Sequence, residues 1–559
     1  MPQELLRALR TAATLLPLFA LHTGALAQTQ NEDSKLIGNA ALSMDMFGES
    51  IGLDGDLAVV GSSELSFPDF GAGSAYVFER ITGDWSQSAR LVAPDGGPAQ
   101  AFGRSVAIDA GTILVGSDQD DPGGPNGMTG AVFVFERTAA ETWERTARLV
   151  PSDGSAGDLF GWSVDLNGER ALVGSWRHAG MSGAAYVYRR TAGGWIEEAK
   201  LTAPDGEPTD ELGFHVGLDE ARAIAGARND DDANTDAGAA YVFARNGTAW
   251  SLESKLTVPG QAAGSRTGTA VAIDADRALL GAPGAVVSGA PVGSAIVFER
   301  QAGSWRLEAT LAGPPNTERF SFGRSVALQG TRAVVGEPAS ATFGAAHVFD
   351  RFAAGWARTR SLDPSDNRGG QSFGFASAMD GERVLVSSLC GEGLEPGSGA
   401  AYVFEVPSPL GVPFCFGDGT ALCPCANQGT AGQGEGCVNS TAFAGRLRAS
   451  GSSSLMRNDL RLEGSGLPPD ARVLLATSTL LGTSTPFGSG LACLAGSPRR
   501  LGSQVASTAG GVVFDFDSAP LGVTPGERRA FQMIYRDTVH GSCGARANLT
   551  NGLEVLFLP

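Results

Sequence analysis

Phe102-Gly103-Arg104-Ser105-Val106-Ala107-Ile108-Asp109 is one copy of a segment that recurs seven times between residues 47 and 405. Each copy continues with a turn, a Val-Gly step, a variable loop, a Gly-Ala-x-Tyr-Val-Phe strand, and then a Trp and a Leu, although some copies vary. Successive copies are spaced by 55, 58, 52, 55, 55 and 51 residues, measured between the glycines of the Phe-Gly step: Gly48, Gly103, Gly161, Gly213, Gly268, Gly323 and Gly374. A period near 50 in segments with strand chemistry predicts a closed β-propeller.

The number of strands in each copy predicts how the ring closes. Each copy contributes an inner strand, a second strand, a Tyr-Val-Phe strand that alternates at period two, and an outer strand with a Trp. The seventh copy ends at Phe404-Glu405 with no such outer strand, whereas Ser34-Lys35-Leu36 matches the Lys-Leu of the outer strands. We therefore expect seven blades over residues 28–406, with the N-terminal strand closing blade seven, which removes open strand edges.

These residues resemble the FG-GAP repeat, the unit of the integrin α-subunit propeller and of many secreted bacterial proteins. The resemblance implies a β-propeller that uses one face of the disc for ligands, and it implies Ca²⁺ in an Asp-rich loop between the first two strands of a blade. Here that connection is a tight turn such as Asp54-Gly55-Asp56, which is too short to surround a cation. The family's calcium positions therefore do not transfer to this chain.

Acidic residues instead collect between the second and third strands. In the fourth copy they have the number and near-alternate spacing of oxygen ligands that calcium needs. An acidic, solvated loop is the alternative. The candidate ligands of a Ca²⁺ ion, which the fold does not require, are Asp230, Asp232, Asn234 and Asp236.

A ligand surface is expected on the face that the strand 2–3 loops share. Six of the eight tryptophans occupy one framework position, and Trp162 and Trp176 are the exceptions. Trp176 opens such a loop, where the repeat requires no aromatic residue. The predicted ligand-binding residues are Trp176, Arg177, His178, Asp118, Asp120 and Asp121.

No catalytic constellation stands out. Gly48-Glu49-Ser50-Ile51-Gly52 matches a hydrolase nucleophile elbow, but that elbow requires a strand-to-helix turn. Ser50 is instead the serine of the repeat, which is also present as Ser105, Ser163 and Ser325. The histidines lack the spacing of metal ligands and form no Cys-His arrangement. We therefore expect no enzyme activity.

The termini and the charge indicate an exported protein. Residues 1–27 combine Arg7 and Arg10, a short apolar run and Ala25-Leu26-Ala27, as a cleaved signal peptide does. We expect no transmembrane segment, and a location outside the cell, at its surface or in the periplasm. The formal charge of −19 argues against a nucleic-acid partner.

The C-terminal segment predicts a second domain. Pro407-Ser408-Pro409 begins a linker over 407–413, and residues 414–559 are rich in Gly, Ser and Cys. Alternating stretches such as Val512-Val513-Phe514-Asp515-Phe516 predict a small β-sandwich-like domain. It resembles a domain appended to many secreted bacterial proteins, which suggests a carrier or attachment role. Six clustered cysteines in an exported protein predict disulfides, with the pairing open: Cys415, Cys423, Cys425, Cys437, Cys493 and Cys543.

The sequence as a whole predicts an all-β protein, a seven-bladed β-propeller followed by a small disulfide-containing domain. Its expected function is non-enzymatic binding or adhesion, in which loops at the propeller rim recognise an extracellular protein or glycan. Two alternatives remain open. One is a hydrolase, or an accessory to one, that acts on extracellular polysaccharide through paired carboxylates. The other is a structural protein of an envelope layer.

Overall fold

The computed structural model describes two compact units. One unit is Ala27–Pro409, and the other includes Leu410–Pro559. The structure describes residues 28–41, 45–63, 72–93, 100–120, 127–287, 289–313, 321–338, 344–352, 355–366, 371–391, 393–395, 397–407, 412–414, 437, 445–450, 455, 460–487, 490–524, 526–537 and 547–557. The predicted signal peptide lies outside these ranges. Within them, no helix combines the length and the apolar character needed to cross a membrane.

The described residues of the repeats form seven antiparallel sheets, here numbered 1 to 7 in chain order. The innermost strands are Ile51–Asp54, Phe102–Asp109, Ser163–Asn167, Leu212–Leu218, Ala270–Asp274, Ser325–Gln329 and Phe373–Asp380. The second strands are Leu57–Ser62, Thr112–Ser117, Arg170–Ser175, Arg222–Ala227, Arg277–Ala282, Arg332–Glu337 and Arg383–Ser388. The third strands are Ser74–Ile81, Ala131–Arg137, Ala184–Thr191, Ala239–Asn246, Ser294–Gln301, Ala345–Phe352 and Ala400–Glu405.

The outer strands show how the N-terminus joins the ring. Those of sheets 1 to 6 are Asp84–Val92, Trp143–Leu149, Gly194–Leu201, Ala249–Leu256, Ser304–Leu311 and Gly355–Leu362. In sheet 7 the fourth strand is Ser34–Leu36, which pairs antiparallel with the third strand. Gln28–Gln30 adds a fifth, parallel strand to the edge of sheet 6. The N-terminal segment thus contributes to the last two sheets.

The sheets follow one another in a closed cycle. The innermost strand of each sheet contacts that of the next sheet, and the innermost strand of sheet 7 contacts that of sheet 1. Seven separate clusters of buried side chains lie between neighbouring sheets. The chain is therefore all-β with the arrangement of a propeller, and its apolar core is divided into seven interfaces.

The Val-Gly step permits close contact between sheets. A β-carbon added at Gly116 would lie 2.2 Å from the carbonyl oxygen of Gly161 in the next sheet. The corresponding glycines of five other sheets meet the next Phe-Gly carbonyl at 2.0 to 2.1 Å. Only glycine fits such a contact, which explains why the repeat keeps Gly at a position inside a strand.

Two short elements lie in the loops between the second and third strands of this unit. His178–Met181 is a single helical turn between the second and third strands of sheet 3, and Val286–Val287 pairs with Ala290–Pro291 in the corresponding loop of sheet 5. Both lie in the variable part of the repeat.

The second unit has two larger sheets and a hairpin. The first sheet pairs Val412–Phe414, Ala547–Leu556, Arg528–Arg536, Arg472–Ser478 and Arg499–Val505 in that order, and the second pairs Arg446–Ser450, Arg461–Ser465 and Val512–Asp515. Leu481–Phe487 pairs with Gly490–Leu494, and Ala519–Leu521 is a 3₁₀ turn. Side chains of both larger sheets, among them Leu462 and Phe531, share one buried cluster. The unit is all-β, as the alternating stretches predict.

Candidate functional site: the axial ring

A cavity of about 340 Å³ runs along the innermost strands of the seven sheets. Most side chains along its wall are small or aliphatic, for example Gly52, Ala107, Gly217 and Val326. Small residues are needed here because seven strands converge around one axis. The exceptions to this rule mark the positions where a ligand would find functional groups.

The exceptions concentrate at the residue that follows the glycine of each Phe-Gly step. The glycines have positive φ, for example 93° at Gly103 and 92° at Gly161, a conformation that places a strong preference on glycine. The next residue begins the wall of the cavity. We call these seven residues the axial ring: Glu49, Arg104, Trp162, Phe214, Thr269, Arg324 and Phe375.

The axial ring lies at the end of the cavity where the strand 2–3 loops leave the sheets. Phe102, at the start of an innermost strand, pairs with Ser117, at the end of the second strand. The residue after each second strand therefore lies next to the ring. In sheets 2, 3 and 4 that residue is Asp118, Trp176 and Arg228.

One side of the ring is a charge pair stacked on an aromatic residue. Arg104 forms an ion pair with Glu49, and the Cζ atom of Arg104 lies 4.0 Å from the ring centre of Trp162. Ser63 donates a hydrogen bond to Glu49 at 2.5 Å. Burial raises the pKa of Glu49, while Arg104 and the Ser63 hydroxyl oppose the shift. The guanidinium group of Arg104 is thus held between a carboxylate and an indole.

The opposite side has two further arginines. Arg228 pairs with Glu211 through Nε at 2.5 Å and stacks on Phe214 at 3.6 Å. Arg324 stacks on Phe375 at 4.6 Å. Arg324 has no carboxylate within ion-pair distance among the residues that the structure describes. Burial lowers its pKa, the positive charges of Arg228 and Arg104 lower it further, and the negative charge of Glu49 opposes the shift.

Two buried polar atoms next to the ring have no hydrogen-bond partner within the described part of the chain: Asp118 Oδ1 and Trp176 Nε1. The Trp176 ring lies 5.5 Å from that of Trp162 and 6.2 Å from that of Phe214. Asp118 is 1% exposed. Burial raises its pKa to about 7; Arg104 lowers it, and Glu49 raises it further. An acceptor and a donor are therefore available beside the aromatic residues.

Deeper in the cavity lie two other titratable side chains. Asp165 accepts backbone hydrogen bonds from Leu218 at 2.7 Å and from Leu166 at 2.9 Å, and burial raises its pKa to about 7. His215 accepts a bond from the backbone of Val271 at 3.4 Å, and burial lowers its pKa to about 4. His215 belongs to the innermost strand of sheet 4, and it lines the cavity.

The structure describes five of the six predicted ligand-binding residues and does not gather those five on one outer rim. Trp176 and Asp118 lie next to the axial ring, although neither lines the cavity. Asp120 pairs with Arg148 at 2.6 Å. Arg177 is exposed, 5.5 Å from the Trp176 ring centre, and Asp121 lies outside the described residues.

His178 differs most from its predicted role. It is buried, and its Nδ1 lies 2.8 Å from Asp158, while its Nε2 lies 2.7 Å from Lys200. Both ring nitrogens are therefore occupied, one by Asp158 in the connection before sheet 3 and one by Lys200 on its outer strand, which leaves neither for a ligand.

Two of the four predicted calcium ligands, Asp230 and Asp232, form ion pairs with a lysine. Lys255 Nζ lies 2.8 Å from Asp230, 2.5 Å from Asp232 and 3.0 Å from Asp205. Asn234 and Asp236 do not join them: the Asn234 side chain accepts a bond from the backbone of Thr235. Within the ranges that the structure describes, no three His, Cys, Asp or Glu side chains are grouped as metal ligands are. An ammonium group thus occupies the place expected for the cation.

The repeat serine has a structural role. Ser105 donates to the carbonyl oxygen of Gly161 at 2.7 Å, and Ser163 donates to that of Gly213 at 2.9 Å. Ser50 accepts from the backbone of Val106 at 2.9 Å. Each bond joins one sheet to the next, so the Gly-x-Ser-x-Gly match at Ser50 reflects the repeat.

Sequence reasoning missed the axial ring as a unit. Its members are 50 to 60 residues apart, and each one alone resembles a variable strand position. A signal was present, because this column of the repeat contains Glu49, Arg104, Trp162 and Arg324 among strands that otherwise keep small residues.

Comparison with known proteins identifies the repeats. The FG-GAP repeat model matches residues 31–78, 85–135, 143–188, 195–243 and 356–404. Each match takes the outer strand of one sheet and the inner three strands of the next, so the sequence repeat is offset by one strand from the sheet. None of the curated proteins matches the chain. The matched repeats, together with the cycle of four-stranded sheets, identify the chain as an FG-GAP repeat protein.

Proposed function

We propose that the chain is an exported, seven-bladed propeller that binds an extracellular protein or glycan at the axial ring and catalyses no reaction. The observation that supports this most is the concentration of functional groups at one end of the cavity. The wall there contains two arginines and three aromatic rings, namely Arg104, Arg324, Trp162, Phe214 and Phe375, among mostly small or aliphatic residues, and Arg228 and Trp176 lie beside them. Binding sites typically combine apolar surface with a few polar groups in this way.

The arrangement favours binding because its side chains already hold one another in place. Arg104 is fixed by Glu49 and Trp162, and Arg228 by Glu211 and Phe214. Such pre-organisation reduces the entropy that a ligand must overcome when it binds. The FG-GAP repeats are consistent with a scaffold of the binding and adhesion type.

Affinity electrophoresis of residues 28–559 tests this proposal. The protein is run through gels that contain one polymer each: polygalacturonate, dextran or a mucin-type glycoprotein. We expect at least one polymer to retard the protein, and the double variant Trp162→Ala/Trp176→Ala to migrate freely. Trp85→Ala, at the framework position of sheet 1, is the control and should stay retarded. Equal mobility of all three proteins in every gel would favour the structural, envelope-layer alternative.

One observation favours hydrolysis as a second candidate. Asp118 and Glu49 both have raised pKa values at the edge of the axial ring, which suits a carboxyl group that donates a proton. Shortening of a retarding polysaccharide by the wild-type protein, with loss of that activity in Asp118→Asn, would establish an enzyme. Retardation without shortening supports binding alone.

For the second unit we propose a disulfide-stabilised attachment domain. Cys437 and Cys493 are buried and are half-cystines in the structure, which supports the proposal. Cys415, Cys423, Cys425 and Cys543 lie outside the described residues. Mass spectrometry of the non-reduced protein, digested with protease, would identify the pairs. Six alkylatable thiols from this segment would contradict the proposal.

A further inference from the structure

We propose that the axial ring binds a uronate, that is, a sugar residue with a carboxylate group on its pyranose ring. This inference rests on the proposed binding function and specifies the class of ligand. It follows from three separate features of the ring: an unpaired guanidinium group, several aromatic faces, and unpartnered polar atoms beside them.

The first feature is Arg324. Arg104 and Arg228 each have a carboxylate partner, whereas Arg324 has none at ion-pair distance within the described residues, and its guanidinium group stacks on the face of Phe375. A buried cation without a counter-ion is costly, and a bound anion removes that cost. A guanidinium group matches the geometry of a carboxylate, with which it forms two parallel hydrogen bonds.

The second feature is the aromatic surface. Trp162, Trp176 and Phe214 are mutual neighbours, with ring centres 5.5 to 6.2 Å apart, and Phe375 lies across the cavity beside Arg324. A sugar ring has an apolar face formed by its C–H groups, which packs against such rings. The cavity of about 340 Å³ lies within the range of roughly 300–1,000 Å³ that is usual for small-ligand sites.

The third feature is the pair of unpartnered atoms, Asp118 Oδ1 and Trp176 Nε1. A buried acceptor and a buried donor without partners each destabilise the free protein. Neither residue lines the cavity, so the hydroxyl groups of a ligand satisfy these atoms only after the neighbouring side chains move. A uronate has hydroxyl groups on the same ring as its carboxylate. Sulfate has no hydroxyl donor at neutral pH, and Glu49 repels the doubly charged sulfate and hydrogen phosphate ions more strongly than a singly charged uronate. An acidic peptide side chain likewise has no hydroxyl group to offer Asp118.

Isothermal titration calorimetry of residues 28–559 tests the inference. The ligands are trigalacturonate, triguluronate and triglucuronate, and the control for each is its methyl ester, which keeps the sugar and removes the charge. We expect at least one of the acids to bind and its ester to bind about 10- to 100-fold more weakly. Raising the NaCl concentration should weaken binding of the acid but not of the ester.

Two arginine variants assign the effect to the ring. Arg324→Gln should reduce affinity for the acid to that of the ester while leaving the melting temperature unchanged or higher, since it removes an unpaired buried charge. Arg306→Gln, at an exposed position on the outer strand of sheet 5, is the matched control and should bind as the wild type does.

Any other outcome of these titrations overturns the uronate inference. The outcomes also distinguish a failure of this inference from a failure of the proposed binding function. If acids and esters bind equally, or if Arg324→Gln retains the preference, the ring binds a glycan without recognising its charge. If none of the uronates binds but poly-glutamate does, the site takes an acidic peptide. If no uronate, ester or poly-glutamate binds and affinity electrophoresis also shows no retardation, the proposed binding function itself is wrong.

Discussion

At the scale of the residue, Asp118 makes the stability of the repeats depend on pH. Its pKa is raised to about 7 by burial, so between pH 4 and 7 the folded state holds a proton that the unfolded state has lost. Stability is therefore full at low pH and declines as the pH rises towards 7. This is the reverse of the dependence that an ion-paired carboxylate produces.

Asp118→Asn should remove this dependence. One pKa unit corresponds to about 1.4 kcal/mol, so the variant should gain up to roughly 4 kcal/mol over the wild type at pH 8 and nothing at pH 4. All eight tryptophans lie in the repeats, so urea unfolding followed by tryptophan fluorescence reports on this unit alone. A constant difference between the two proteins across this pH range would show that Asp118 does not titrate as described.

Lys255 determines whether the acidic loop of sheet 4 responds to calcium. Burial disfavours its charge, but the hydrogen bonds that it donates to Asp230, Asp232 and Asp205 outweigh this and raise its pKa. We expect Ca²⁺ to leave the melting temperature of the wild type unchanged, because the carboxylates already have a cation. Lys255→Met should lower stability by about 3 kcal/mol, and Ca²⁺ should raise the melting temperature of this variant.

Lys200→Met is the matched control for that experiment. Lys200 occupies the corresponding position of sheet 3, where it contacts His178 and the single carboxylate of Asp153. Its replacement should not create calcium dependence. A wild-type transition that rises with Ca²⁺ and falls with chelator would restore the calcium site predicted from the sequence.

At the scale of the element, the contact between neighbouring sheets depends on glycine. Gly116→Ala would bring a β-carbon to 2.2 Å from a backbone oxygen of the next sheet, which neither strand can avoid. We expect it to lower stability by more than about 3 kcal/mol or to prevent folding. Gly55 has a positive φ of 54° but open space around it. Gly55→Ala should therefore lower the free energy of unfolding by about 1 to 2 kcal/mol. Urea unfolding of both variants compares them; equal losses would refute the role given to this contact.

The strands could be predicted from the sequence because each repeat encodes them locally. Alternation in segments such as Ala131–Arg137 and tight turns such as Asp54-Gly55 depend on near neighbours alone. The axial ring could not be predicted in the same way, since Arg104 meets Glu49 only after two sheets have packed. Likewise, the spacing of Asp230 and Asp232 predicts a cation but cannot distinguish Ca²⁺ from the ammonium group of Lys255.

At the scale of the whole molecule, we expect the closure of the cycle of seven sheets to depend on the strand Ser34–Leu36. Leu36 is 1% exposed and belongs to the cluster between sheets 7 and 1, as Leu256 does to the cluster between sheets 4 and 5. The two leucines occupy the same position of the repeat. If the N-terminal strand closes the ring, Leu36→Ala and Leu256→Ala should each cost about 2 to 5 kcal/mol. If Leu36→Ala leaves the free energy of unfolding unchanged while Leu256→Ala lowers it, the N-terminal strand contributes little to the stability of sheet 7.

The pairing of Ser34–Leu36 with Ala400–Glu405 also sets the order of events during biosynthesis. A ribosome makes the first of these strands hundreds of residues before the second, so the first strand must wait for its partner while the other sheets form. Contacts this distant in sequence form slowly. An export route that threads the chain unfolded across a membrane would keep both strands apart until the end of the seventh repeat has crossed. The two ends of the ring would then meet for the first time on the far side.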